Sequence, residues 1–144
     1  MRSVYRVLAM LIALGVVVQA AVVAWGWFAV LHAADAGAVY DKNSDRDYGQ
    51  AAHSIIGTGV IPTLAVVLLI VSFFARIPGG VMWAAITLGV TVLQVLLAIF
   101  SYGLPVVGLL HGLNAFALAA VASIAMRKAR LAGAAAPAEG AAAV

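Results

Sequence analysis

Apolar residues run along this chain in four long blocks, without the strand-like alternation or the single amphipathic stripe of a soluble domain. The first block extends from about Val7 to Ala34 and the second from about Ala51 to Ala75, each bounded by charged side chains. Between Arg76 and Arg127 no residue carries a full charge, so turn chemistry must divide that stretch. Ser101-Tyr-Gly-Leu-Pro105 divides it. Gly103 and Pro105 are turn formers, and a proline suits the first turn of a new helix, where its missing N–H costs nothing. The pattern predicts helices over about 7–34, 51–75, 80–100 and 105–126. Each is long enough for a hydrocarbon core about 30 Å thick, which needs about 20 helical residues because backbone groups find no water there. The link Arg76-Ile-Pro-Gly-Gly80 is short, so successive helices should be antiparallel. The predicted fold is all-α, a polytopic membrane protein built as an up-down-up-down bundle of four transmembrane helices over residues 1–130. Residues 131–144, rich in Ala, Gly and Pro, are expected to form a disordered cytoplasmic tail.

Composition supports a membrane protein and narrows the chemistry. Of the 144 residues, 66% are hydrophobic and 9% charged, whereas soluble domains are about 45–50% apolar. Cysteine is absent, which removes disulfides, thiolate metal sites and cysteine nucleophiles. The formal charge of +3 would invite a nucleic-acid partner in a soluble protein. Here the basic residues sit at the ends of apolar blocks, as membrane flanks do, and the expected partner is the lipid bilayer, with no nucleic acid. With four crossings Arg2, Arg6, Arg76, Arg127, Lys128 and Arg130 share one side, which the positive-inside rule makes cytoplasmic. Both termini are thus expected inside a bacterial cytoplasmic membrane. The loop over 35–48 carries Asp35, Asp41, Asp45 and Asp47 against Lys42 and Arg46 and is expected outside, near Trp25, Trp27, Tyr40, Tyr48 and Tyr102. The basic start and apolar run faintly resemble a secretory signal around Val18-Gln-Ala20, but the run continues past Ala20.

Polar side chains inside a bilayer are costly and face the bundle interior by default. They are Gln19, His32, His53, Gln94, His111 and Asn114. At 1.5 Å per residue, His53 lies roughly 5–9 Å inside the outer end of the second helix, His111 roughly 9 Å below Pro105, and Gln94 roughly 10 Å below the same surface. The second and fourth helices occupy diagonal corners of such a bundle, with axes roughly 12–14 Å apart. Two imidazoles from those corners can reach one iron from opposite sides, so bis-histidine ligation of a haem b by His53 and His111 follows as a physical possibility. Gly57, Gly108, Gly112 and Ala115 would leave room for the ring. Ser54, Gln94 or Asn114 would orient a ligand or meet a propionate. The plainer alternative is that the small residues bring helices together and the histidines hydrogen-bond across an interface. His32 is expected at the outer boundary, Gln19 as a bond between helices, and Pro62 as a kink in the second helix.

At these residues the chain resembles one half of a haem A synthase. The resemblance rests on His53-Ser-Ile-Ile-Gly57, on Gln94-Val-Leu-Leu97, and on His111 followed by Ala115, within a layout covering about residues 5 to 128. It implies a four-helix bundle with haem-ligating histidines on the second and fourth helices. The family's arginine after the histidine is Ser54 here, its Gln-x-x-Leu-Gly pattern ends in Ala98, its second half is missing, and its catalytic glutamate has no counterpart in the outer loop. Haem-oxidising activity is therefore not implied. The chain is also similar to small bacterial four-helix membrane proteins, which implies architecture and no function. Two functions stay open: a haem protein working with a membrane redox partner, and a cofactor-free accessory protein of a larger membrane complex. A proton-coupled transporter lacks its intramembrane carboxylate, and phosphate loops, nucleophile elbows and HExxH metal motifs are absent.

Overall fold

The computed structural model describes residues 1–41 and 43–134. The described chain is helical: α1 (Arg2–Asp35), α2 (Tyr48–Ile55), a π-helical turn (Ile56–Val60), α3 (Ile61–Ala75), α4 (Gly80–Gly103) and α5 (Val107–Ala134). The stretch from Tyr48 to Ala75 is continuous, so among its described residues the chain has four helices long and apolar enough to cross a membrane. It is a multi-pass membrane protein.

The helix ends follow local chemistry. Asp47 caps α2, its Oδ1 accepting from the N–H groups of Gly49 at 2.7 Å and Gln50 at 3.0 Å. Arg76 and Gly79 adopt positive φ, 50° and 71°, which stops α3 and turns the chain into α4 within four residues. Pro105 lies two residues before α5 rather than in its first turn. Leu104 before it is extended, as the residue preceding a proline must be, and the intervening bonds are single turns from Leu104, Pro105 and Val106. At the other end α5 runs past the basic cluster to Ala134. Alanine is the best helix former, and two of the last four residues are alanine. Residues 131–134 of the expected tail are thus helical, and 135–144 lie outside the described residues.

Helix α1 packs against α2, α3 and α5, while α4 packs against α3 and α5, so the second and fourth spans are diagonal. Arg2 Nη1 donates to the carbonyl of Ala132 at 3.3 Å, bringing the start of α1 to the end of α5. The end of the bundle carrying these residues is called the terminal end, and the opposite one the loop end.

Buried positions alternate by four and three: Tyr5, Ala9 and Ile12 on α1, Ile61, Ala65, Leu68, Ser72 and Ala75 on α3, Gly80, Ala84, Thr87 and Thr91 on α4, and Leu118, Ala122, Ala125 and Ala129 on α5. This is the spacing of left-handed bundles, and its predominance of small residues lets the backbones approach. The hydroxyls of Ser72, Thr87 and Thr91 bond back to Leu69, Trp83 and Thr87 carbonyls, so the core buries them without an interhelical partner. Among the described residues the buried aliphatic side chains lie from Ile61 and Leu118 toward the terminal end, and beyond them toward the loop end the buried positions of α1 and the second span are Gln19, Gly26 and Gly49, all where those two meet.

Candidate functional site

The same seams, followed toward the loop end, arrive at polar residues. On α1 Gln19 lies seven positions after Ile12, on α4 Gln94 lies three after Thr91, and on α5 His111 lies seven before Leu118. The second span reaches its seam differently. Counting back from Ile61 by four and three in a regular helix would put Thr58 and Ser54 inside. The π turn over Ile56–Val60 adds a residue, and one extra residue rotates what precedes it by about 100°. The inward positions become Gly57 and His53. Pro62 stands just beyond this turn; having no N–H to give, it cannot complete a regular ladder, and a widened turn relieves its ring of the preceding carbonyl. Thr58 is left exposed beside Pro62, Leu88, Val92 and Val95 in a shallow groove between the second span and α4. The expected kink at Pro62 is thus a π turn that decides which residue faces in.

His111 is held on both sides. Its Nδ1 is 3.0 Å from the carbonyl of Gln94, which can only accept, so Nδ1 carries the proton and Nε2 has the lone pair. The Gln94 amide nitrogen lies 3.2 Å from that Nε2 and donates to the His111 carbonyl at 3.0 Å. Asn114 donates to Gln94 Oε1 at 2.7 Å and to the Val90 carbonyl at 3.1 Å. These bonds clasp α4 to α5.

His53 is held from α1. Gln19 Nε2 donates to the His53 carbonyl at 3.0 Å. A Cβ on Gly57 would lie 2.8 Å from that amide nitrogen, so the bare side of Gly57 receives Gln19; it is not open space for a cofactor. The start of α2 is pressed still closer to α1: a Cβ on Gly49 would lie 2.6 Å from both Gly26 Cα and the Val22 carbonyl. Two glycines facing each other allow this backbone contact.

Across the diagonal the rings of His53 and His111 meet with centroids 6.2 Å apart and planes at 70°. Both residues are half-buried. A Cβ on Gly108 would lie 3.8 Å from Ser101 Oγ, and one on Gly112 would have nothing within 4 Å. Among the described residues no group of three or more His, Cys, Asp or Glu side chains gathers to hold a metal ion, so a metal here would take the two imidazoles and further ligands from elsewhere.

No family model, curated protein or solved structure matches the chain.

Of the residues singled out from sequence, His53, His111, Gln94 and Asn114 come together, Gly108 sits beside Ser101 of α4, and Gly57 serves Gln19 instead. Ser54 points away and accepts from Arg46 Nη1 at 3.3 Å. His32 is exposed at the loop end. Gln19 was legible only as a polar residue in an apolar helix; its spacing of seven from Ile12 is the signal that it faces the interior. The closeness of Gly26 to Gly49 had no sequence signal beyond residue type.

Proposed function

We propose that this integral membrane protein binds a b-type haem between its second and fourth spans, where His53 and His111 would hold it, for electron transfer or haem handling. The observation that carries this reading is the 6.2 Å between the ring centroids. With imidazole–metal bonds of about 2 Å and about 1.2 Å from ring centre to ligating nitrogen, two rings that hold one ion have centroids no more than about 6.4 Å apart, so these two would be within reach of a shared ion. The protonated Nδ1 of His111, bonded to a carbonyl, is the arrangement that leaves Nε2 for a metal. Around the two half-buried histidines no aliphatic side chain beyond Ile61 and Leu118 toward the loop end is buried among the described residues, so a planar apolar group would find surface to cover there rather than a packed core to displace. Bound there, a haem supplies one-electron chemistry. The chain's own residues would orient the ligands: Gln94 and Asn114 hold the His111 ring from α4 and α5, and Gln19 holds the His53 backbone from α1. The resemblance to half of a haem A synthase points the same way. The basic residues at the terminal end support, by the positive-inside rule, a reading with both termini cytoplasmic and the haem toward the outer leaflet of a bacterial membrane, where a membrane redox partner would meet it.

The Gln94 clasp favours a second reading, a cofactor-free accessory protein in a larger membrane complex, because the amide already occupies His111 Nε2. An absorption spectrum separates the two. Protein purified from haem-sufficient cells should show a Soret band and sharp α and β bands on reduction, altered by His53→Ala and by His111→Ala. Colourless protein that takes up no added haem rules the haem reading out.

A further inference from the structure

Six cations collect at the terminal end: Arg2 and Arg6 begin α1, Arg76 follows α3, and Arg127, Lys128 and Arg130 lie near the end of α5. The described carboxylate side chains, Asp35, Asp41, Asp45 and Asp47, are all at the loop end, so among the described residues no ion pair neutralises this charge. Two of the six converge. Arg2 and Arg76 line, with Ser3 and Phe74, an open cavity of about 460 Å³ between the start of α1 and the end of α3, a volume within the range of about 300–1,000 Å³ usual for small-ligand sites. Arg2 donates to the Ala132 carbonyl, which holds its guanidinium in place without neutralising it. Arg76 lies at φ 50° and ψ 47°, the left-handed position after a helix that glycine usually takes because a Cβ is disfavoured there. An arginine at that position forgoes the better backbone fit and puts a guanidinium on the cavity wall. Toward the middle of the bundle the wall is apolar: Phe74 and Ile70, four apart and so on one face of α3, are both exposed.

We propose that this cavity is a binding site for an anionic phospholipid, its headgroup phosphate held by Arg2 and Arg76 and an acyl chain lying over Phe74 and Ile70. Two guanidiniums suit a phosphate, because each planar fork can donate two parallel hydrogen bonds to its oxygens. A free phosphate would use the same donors, but it gains nothing from the apolar wall, whereas an acyl chain covers it. The lack of carboxylates favours a lipid with net negative charge over a zwitterionic one, by about fivefold for each arginine near the headgroup. The site is at the opposite end of the bundle from His53 and His111 and does not depend on the haem reading.

The test is native mass spectrometry of the full-length protein in detergent micelles, titrated with phosphatidylglycerol or with phosphatidylcholine of the same acyl chains. The wild type should hold one phosphatidylglycerol about tenfold or more tighter than phosphatidylcholine. Arg2→Gln and Arg76→Gly should each weaken phosphatidylglycerol about fivefold, while Lys128→Gln, which removes a charge from the same end outside the cavity, should leave its affinity unchanged. Arg76→Gly should also melt no lower than the parent, since glycine suits the left-handed backbone, so that its weaker binding is not a loss of folding; if it melts lower, Arg2→Gln decides. Equal affinity for the two lipids, equal weakening by Lys128→Gln, or an affinity untouched by Arg2→Gln overturns the proposal. Inorganic phosphate at millimolar concentration should not displace the lipid; displacement would make this a site for free anions and overturn the lipid assignment.

Discussion

Replacing Gln94 by leucine tests whether the polar layer holds α4 and α5 together, and by how much. The substitution removes the amide bonds to the His111 carbonyl and Nε2 and the acceptor for Asn114. It leaves the bond from His111 Nδ1 to the backbone carbonyl at position 94 and that from Asn114 to Val90. Interhelical hydrogen bonds in bilayers average about 0.6 kcal/mol, because separated helices also find partners. Three such bonds give about 2 kcal/mol, roughly a thirtyfold shift in the unfolding equilibrium. The measurement is equilibrium unfolding in bicelles, by steric trapping or denaturant, of the wild type, Gln94→Leu, Asn114→Ala and the double variant. The cycle should return a coupling of about 0.6 kcal/mol for the bond of 2.7 Å between the two side chains. A Gln94→Leu protein as stable as the parent, or additive single and double variants, would refute the reasoning. The same variant bears on function: with the competing amide gone, His111 Nε2 is freer, so haem uptake should equal or exceed that of the parent.

Two further substitutions probe the packing that sets the histidines in place. Gly49→Ala puts a methyl 2.6 Å from Gly26 Cα and the Val22 carbonyl, where carbon atoms need about 3.5 Å, so α2 must move off α1; thermal unfolding in detergent should report about 1–3 kcal/mol of destabilisation, and an unchanged transition would mean the two helices do not touch there. Tyr5→Phe removes the buried bond of 2.9 Å from the hydroxyl to the Gly80 carbonyl and leaves that carbonyl without it. A loss of about 0.5–1.5 kcal/mol is expected, measured by the same unfolding transition, and no change would show the bond to be energetically idle.

Much of the architecture was visible as runs of apolar residues between charged or turn-forming ones. The second helix was expected to end at Ala75 and the third to begin at Gly80, and they do, because Arg76-Ile-Pro-Gly79 leaves a helix nowhere to continue. Boundaries at the free ends were less legible. Arg2 and Arg130 carry charges that a hydropathy pattern excludes from a span, yet backbone hydrogen bonding continues through them once the helix has formed. The polar candidates could be named but not oriented, because a helix that is apolar all round carries no stripe marking its inner face.

By itself the sequence determined that the backbone would be helical, how many times it could cross a bilayer, and which few polar residues would lie within it, since the absence of water in hydrocarbon leaves the backbone no other choice. Which of those residues meet was decided by tertiary structure. The alternation of four and three on each helix turns Gln19, Gln94 and His111 inward, and one additional residue in the π turn before Pro62 rotates His53 into the same layer in place of Ser54. The contact between His53 and His111 is a sum of rotations along two helices and an approach between glycines on a third pairing, and helix phase of that kind exists only once the neighbours are packed.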